Sequence, residues 1–173
     1  MHTHRTPDGL AEHALLDRAV LNLMLDLDRQ RPWAEDEIAR TLNVPGDVRE
    51  SLRRLRACKL IHRWNDLAIA AHAAVRFHEV SQGEGDEKVS AGDREERHRD
   101  RAILESLLVR SAEGEGARTA QQTYEAFGAK KQKKRLEIQD ALDRLEGAGL
   151  IERRGGRSIP SEVARRLDEL LSV

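Results

Sequence analysis

Residues 48–80 read VRESLRRLRACKLIHRWNDLAIAAHAAVRFHEV, and residues 138–170 read IQDALDRLEGAGLIERRGGRSIPSEVARRLDEL. Aligned without a gap at an offset of 90, the two stretches are identical at ten of thirty-three positions, several times the number expected by chance. A second match opens each half at an offset of 83, where residues 17–21 (DRAVL) resemble residues 100–104 (DRAIL). One unit the size of a small domain therefore occurs twice, which predicts two homologous domains.

The same order of elements is predicted in each copy. Apolar residues follow a helical period in residues 10–28, at Ile38 and Leu42, and from residue 48 to residue 55. Two short β-prone runs around residues 65–66 or 155–156 predict a hairpin, and a closing helix follows at 71–80 or 161–171. The fold class is therefore mainly α with small β-hairpins, ordered helix, helix, turn, helix, hairpin, helix.

The ends of the third helix differ between the copies. Asp47 is expected to cap the start of this helix in the first copy. Gly149 suits a left-handed helix end in the second copy, whereas the first copy has Lys59 at that position. This difference predicts that the third helix ends differently in the first copy.

A glycine-rich and acidic segment separates the two copies. Residues 81–98 contain six acidic and three basic residues, which predicts a flexible linker between domain 1 (1–80) and domain 2 (99–173). The formal net charge of −1 argues against a protein that coats DNA, so any nucleic-acid site must be a local cluster. The single cysteine, Cys58, and the lack of a long apolar run predict a cytoplasmic protein that does not enter a membrane.

Two features of the chain resemble a known family: the order of elements, and the junction between the third helix and the hairpin, which reads LEGAGLIER at residues 145–153. Nearly the whole chain resembles, twice, the winged helix-turn-helix superfamily, and it is most similar to bacterial transcriptional regulators of the MarR, PadR or ArsR type. The resemblance implies two winged helix-turn-helix domains in tandem. In each domain the third helix would be the recognition helix, and the hairpin would be the wing.

The second copy contains the clearest candidate binding site. Five of six consecutive residues are basic at the point where its recognition helix would begin, and the predicted wing adds three arginines. Lysines there would bind phosphates, and glutamine side chains can read adenine, although a solvated turn is the alternative interpretation. The predicted DNA-binding residues are Lys130, Lys131, Gln132, Lys133, Lys134, Arg135, Gln139, Arg153, Arg154 and Arg157.

The first copy is weaker at the same positions. Its candidate DNA-binding residues are Arg49, Arg53, Arg56 and Arg63. Asp47 and Glu50 share the face of the helix, and Trp64 takes the place of Arg154 on the hairpin. The first domain could bind DNA more weakly, or it could be a dimerisation or partner-binding module. Trp64 is either an interface residue or a cover for the small core.

The sequence contains no motif for catalysis or metal binding. There is no glycine-rich phosphate loop, no nucleophile elbow and no His-Glu-x-x-His, so we expect no enzyme activity, no catalytic residue and no cofactor. The spacing of His62, His72 and His78 matches no zinc site, and the polar residues at their positions in the other copy predict that all three are exposed.

Two functions follow as hypotheses. The first is a sequence-specific regulator of transcription that binds double-stranded DNA through tandem winged helices. The alternative is a protein-interaction module of the tandem winged-helix type, a partner of a chromosome-organising ATPase complex, with domain 1 contacting that protein. The sequence leaves open whether the chain forms a homodimer.

Overall fold

The computed structural model describes residues 7–26, 31–43, 47–82 and 90–171, with side chains described from residue 12 onward. We call residues 7–82 the first repeat and residues 90–171 the second repeat. The first repeat contains α1 (Pro7–Asp26), β1 (Trp33–Ala34), α2 (Glu35–Leu42), α3 (Val48–Ala57), β2 (Ile61–Trp64), β3 (Leu67–Ala70) and α4 (His72–Ser81).

The second repeat has the same order of elements. These are α5 (Ala91–Ala112), β4 (Arg118–Thr119), α6 (Ala120–Ala126), α7 (Gln132–Gly147), β5 (Ile151–Arg154), β6 (Arg157–Pro160) and α8 (Glu162–Leu171). Strands β2 and β5 begin 90 residues apart, at residues 61 and 151, which is the offset of the sequence alignment. The prediction of a mainly helical fold with small β-hairpins is confirmed.

Each sheet also contains a two-residue strand that the sequence does not predict. Strand β1 pairs with β3, with Trp33 opposite Ala68, and β4 pairs with β6, with Arg118 opposite Ser158. The strand orders are therefore β1-β3-β2 and β4-β6-β5, and all pairs are antiparallel. Two residues are too few to show the alternation of a strand. These short strands place the starts of α2 and α6 beside the hairpins.

The core of each repeat is formed by the periodic apolar positions. In α3 the buried residues include Val48, Leu52 and Leu55, and in α7 they include Ile138, Leu142 and Leu145. The prediction of the inward face of the third helix is therefore confirmed. Asp47 caps α3 as predicted, since its side chain accepts a hydrogen bond from the backbone N–H of Glu50 at 3.1 Å. Burial of one face turns the opposite face of each helix towards solvent.

The two third helices end in the same way, contrary to the expectation for Lys59. Lys59 has φ 60° and Gly149 has φ 74°, so both adopt the left-handed conformation. In both repeats the next residue donates a backbone hydrogen bond of 2.9 Å to the carbonyl five residues earlier, from Leu60 to Leu55 and from Leu150 to Leu145. This bonding satisfies a carbonyl at the helix end and fixes the direction of the hairpin.

The chain divides into two compact units, Met1–Val75 with Glu169–Val173, and Arg76–Asp168. The predicted linker at 81–98 is shorter than expected, because α5 begins at Ala91 and Ser90 caps it by accepting a hydrogen bond from the N–H of Asp93. Residues 83–89 of that linker and residues 44–46 of the predicted turn lie outside the described residues. Within the part of the chain that is described, no helix is both long enough and apolar enough to cross a membrane.

Candidate nucleic-acid interface

Four lysines surround the start of α7, and all four are exposed: Lys130, Lys131, Lys133 and Lys134. Lys131 is the N-cap residue, with an extended backbone (φ −91°, ψ 145°), and no side chain caps this end of the helix. None of the four ammonium groups has a hydrogen bond or an ion pair within the described residues. Gln132, the first residue of the helix, is exposed between them.

This arrangement is electrostatically unfavourable for the isolated protein. The N-terminus of a helix carries a partial positive charge, which disfavours cations and favours anions. The first turn of α7 contains no acidic residue, whereas α2 begins with Glu35, Asp36 and Glu37. An anion bound at the start of α7 would satisfy free backbone N–H groups and the lysines together.

Two of the predicted contact residues instead hold the turn in place. Arg135 is half-buried, donates a hydrogen bond from Nε to the carbonyl of Ala129 at 3.1 Å, and lies 5.8 Å from the centre of the Tyr124 ring. Tyr124 donates its hydroxyl hydrogen to Oε1 of Gln139 at 3.2 Å. Since both side chains are engaged internally, we assign them to positioning α6 against α7 rather than to the free surface.

The short helix α6 is itself well fixed at its start. The Thr119 hydroxyl accepts a hydrogen bond from the N–H of Gln122, and the Gln122 side chain accepts one from the N–H of Thr119. This reciprocal capping box satisfies two N–H groups that would otherwise lack partners. At the other end, Gly128 takes φ 60°. The lysines therefore project from a turn whose two flanking helices are held in place.

The second hairpin presents two of its three arginines to solvent. Arg153 is half-buried and is held by α7, with an ion pair of 2.6 Å to Asp143 and another of 3.4 Å to Glu146. Arg154 and Arg157 are exposed and lie opposite each other beside the tip, where Gly155 and Gly156 both have positive φ, as predicted. Arg154 forms an ion pair with Glu152, and Arg157 forms none within the described part.

The basic residues of the first repeat are mostly neutralised. Arg49 and Arg63 both form ion pairs with Glu35, at 2.9 and 2.7 Å, and Arg53 forms one with Glu50 at 2.8 Å. The hydrogen bond to Glu35, followed by the charge attraction of that carboxylate, raises the pKa of Arg49. Of the four predicted arginines, Arg56 alone is exposed with no ion pair among the described residues.

An open groove beside these residues is acidic. It is lined by Glu35, Asp36, Asp47 and Asp66 together with Arg49. Glu35 is paired with Arg49 and Arg63, and Asp36 is paired with Arg40, whereas Asp47 and Asp66 have no ion pair among the described residues. By the order of elements, Glu35 and Asp36 correspond to Ala120 and Gln121, and at the offset of 90 Asp47 and Asp66 correspond to Glu137 and Gly156. Three of the four carboxylates of the groove therefore have no acidic counterpart in the second repeat.

One exposed apolar residue, Leu136, was not identified from the sequence, and another, Trp64, was left with two interpretations. Leu136 lies on α7 one turn after Gln132, and 55% of its surface is exposed. Residues four apart lie on the same side of a helix, so the sequence could have shown that Leu136 lies beside Gln132. Trp64 is 82% exposed, so it does not cover the core of the first repeat.

Two of the three histidines considered from the sequence lie at the surface. His62 and His72 are exposed, but His78 is only 5% exposed, which corrects the expectation that all three face solvent. His78 lies on α4, whose inner face packs in the fold, and periodicity there was too weak to reveal it. No group of three or more potential ligands is suitably placed within the described residues.

No family model matches the chain, and comparison with curated proteins and with solved structures finds no significant match.

Proposed function

We propose that the chain is a tandem winged helix-turn-helix protein that binds double-stranded DNA with sequence specificity and regulates transcription. In this proposal α7 is the recognition helix of the second repeat, and the hairpin of β5 and β6 is its wing. The first repeat contributes less to DNA binding, because most of its basic side chains are already paired with acids.

One observation carries the proposal: four exposed lysines without acidic partners stand around the N-terminus of α7. A charged side chain at a surface normally has mixed-sign neighbours, and clustered cations repel each other. A polyanion would relieve that repulsion and interact with the positive end of the helix. The phosphates of DNA have the matching charge.

In this proposal the second hairpin extends the contact with DNA. Its arginine Arg153 is bonded to Asp143, eleven residues after the first residue of α7. Eleven residues of α-helix span about 16 Å, and the major groove is about 12 Å wide. The lysines at one end of α7 and the hairpin beside its later half can therefore contact phosphates on both sides of one groove.

Base recognition requires side chains that are free to reach into the groove. Gln132 is exposed at the first position of α7, and an amide can form two hydrogen bonds with adenine. Leu136 follows one turn later on the same side of the helix. These two residues are our candidates for sequence selectivity, while the lysines bind phosphates irrespective of sequence.

The direct test is the dependence of DNA affinity on salt, measured by fluorescence anisotropy with a labelled duplex. If about six phosphates are neutralised, affinity falls about a thousandfold between about 50 and 200 mM salt. Replacing the four lysines by alanine leaves about two phosphate contacts, so the same increase in salt then weakens binding only about tenfold.

A matched control comes from the first repeat. The variant Arg49→Ala, Arg53→Ala, Arg56→Ala also removes positive charge from a third helix, but it removes side chains of which two are already paired with acids. We expect its salt dependence to stay close to that of the original chain. Absence of binding at low salt, or an equal effect of the two variants, would contradict the proposal.

A further inference from the structure

The first sheet presents an apolar face to solvent. We call it the outer face, and its residues are Ala34, His62, Trp64, Leu67 and Ile69. In the register of the sheet Trp64 lies opposite Leu67, and Leu67 also lies opposite Ala34. Trp64 is 82% and Leu67 is 47% exposed, whereas Ile61, Ala68 and Ala70 on the other side of the same strands are buried.

The second repeat carries charged residues at the equivalent positions. Trp64 and Leu67 correspond to Arg154 and Arg157, which form the same cross-strand pair beside the tip of the second hairpin. Both sites are exposed, so neither pair is needed to fill a core. The two hairpins have the same strand register but present different side chains at this pair, so they differ in what they can bind.

Exposure of a large aromatic side chain has a physical meaning. Tryptophan offers a large apolar area with few rotatable bonds, and it is enriched among the residues that dominate protein interfaces. Its burial against another molecule removes apolar surface from water at a gain of about 25 cal/mol per Å². Trp64 is not buried against any described residue to this extent, so most of its apolar surface remains in water.

The charged residues beside the outer face indicate which charge a partner should carry. Asp66 forms the tip between Trp64 and Leu67, and its carbonyl accepts a hydrogen bond of 3.2 Å from the N–H of Glu35. This bond ties the tip to the acidic groove of Glu35, Asp36, Asp47 and Asp66. Glu35 and Asp36 are paired with arginines, but Asp47 and Asp66 have no ion pair among the described residues, so these two carboxylates would repel phosphates and attract a lysine or arginine.

We infer that the outer face is a docking surface for a protein segment that carries an apolar side chain next to lysine or arginine. The apolar side chain packs on Trp64 and Leu67, and the cation enters the acidic groove. The residues of this surface belong to the first repeat, whereas the four lysines belong to the second repeat. The chain is thus an adaptor with a cationic site for a polyanion in one repeat and an apolar site beside acidic residues for a protein in the other.

The probe is a displayed library of random linear peptides, selected on the purified full-length protein. We expect enrichment of peptides in which an aromatic or aliphatic residue lies beside lysine or arginine. A synthesised peptide of that kind should shift tryptophan emission to shorter wavelength, since Trp64 is exposed and the other tryptophan, Trp33, is already buried.

Variants test which surface the peptide occupies. Trp64→Arg together with Leu67→Arg copies the second hairpin and should weaken peptide binding about thirtyfold, the effect of losing a hot-spot residue of about 2 kcal/mol. Trp64→Phe should retain most of the affinity. The fourfold Lys→Ala variant at residues 130, 131, 133 and 134 should bind the peptide unchanged, so this inference and the DNA proposal can fail separately.

Two results of the selection would overturn the inference: no enrichment of any peptide, or enrichment of acidic peptides. It would also be overturned if the Trp64→Arg, Leu67→Arg variant bound the peptide as tightly as the original chain, or if duplex DNA protected Trp64 from quenching by acrylamide. Analytical ultracentrifugation tests whether a second copy of the chain occupies the outer face instead. Self-association that disappears in the Trp64→Arg, Leu67→Arg variant would show that a second copy of the chain covers the face. Circular dichroism of each variant establishes that its helices are intact.

Discussion

Arg54 binds the buried carboxylate of Asp17 with two atoms of its guanidinium, at 2.9 Å from Nε to Oδ2 and 2.7 Å from Nη2 to Oδ1. The second repeat contains the same pair, Arg144 and Asp100, at 3.1 and 2.7 Å. Each pair joins the third helix of its repeat to the first helix. Hydrogen bonding to the carboxylate raises the pKa of both arginines, so both guanidinium groups stay protonated.

Breaking one of these pairs should strongly destabilise the protein. Arg54→Met leaves the carboxylate of Asp17, whose residue is 5% exposed, without its partner. Leaving a charge buried and unpaired costs about 3 kcal/mol or more, and we expect that loss in the free energy of unfolding in urea. Combining Arg54→Met with Asp17→Leu should recover most of it, because the buried charge is then absent.

An exposed pair provides the control for this prediction. Arg101 and Glu105 form an ion pair at 2.7 Å on the surface of α5. Arg101→Ala should lower the free energy of unfolding by no more than about 0.5 kcal/mol. Equal effects of Arg54→Met and Arg101→Ala would show that burial does not matter at Asp17.

The helix end at Lys59 should be improved by glycine. Lys59 has φ 60°, a conformation that costs a residue with a side chain roughly 1 kcal/mol. Lys59→Gly should therefore raise the free energy of unfolding by about 0.5 kcal/mol or less, because the greater entropy of glycine in the unfolded chain offsets about 0.4 to 1 kcal/mol of the relieved strain. Gly149→Lys in the other repeat should have the opposite sign, and thermal unfolding of both variants would check it.

The lysines at the start of α7 should lower stability while supporting binding. Lys133→Glu with Lys134→Glu places carboxylates in the first turn of α7, where they interact favourably with the positive end of the helix. We expect the free energy of unfolding to rise by roughly 1 kcal/mol and DNA binding to be lost. Lower stability in this variant, or retained DNA binding, would contradict this electrostatic explanation.

Leu136 should recognise the methyl group of thymine. It is 55% exposed on α7, and apolar side chains contact that methyl in the major groove. In a duplex selected from random sequences by the protein, replacing one contacted thymine by deoxyuridine should weaken binding about fourfold, the equivalent of about 0.8 kcal/mol for one apolar carbon. Leu136→Ala should bind both duplexes equally. A loss of the same size in Leu136→Ala would rule out this contact.

The amino-acid sequence was sufficient for the repeat, its order of elements and the inward faces of its helices. Those features depend on local periodicity and turn chemistry, which neighbouring residues express directly, as Val48, Leu52 and Leu55 do in α3. The same holds for the position of the lysines at the start of α7. The strands β1 and β4 could not be found in this way, because a strand of two residues exists only through its partner.

The tertiary structure decided which charged and aromatic side chains are available. In the sequence Arg49, Arg63 and Arg153 are three similar basic residues. In the folded chain the first two form ion pairs with Glu35, and the third forms one with Asp143. It also leaves Trp64 in solvent, although a tryptophan in a small domain is more often used in the core. Charge pairing and burial depend on residues distant in the chain, so only the folded arrangement determines them.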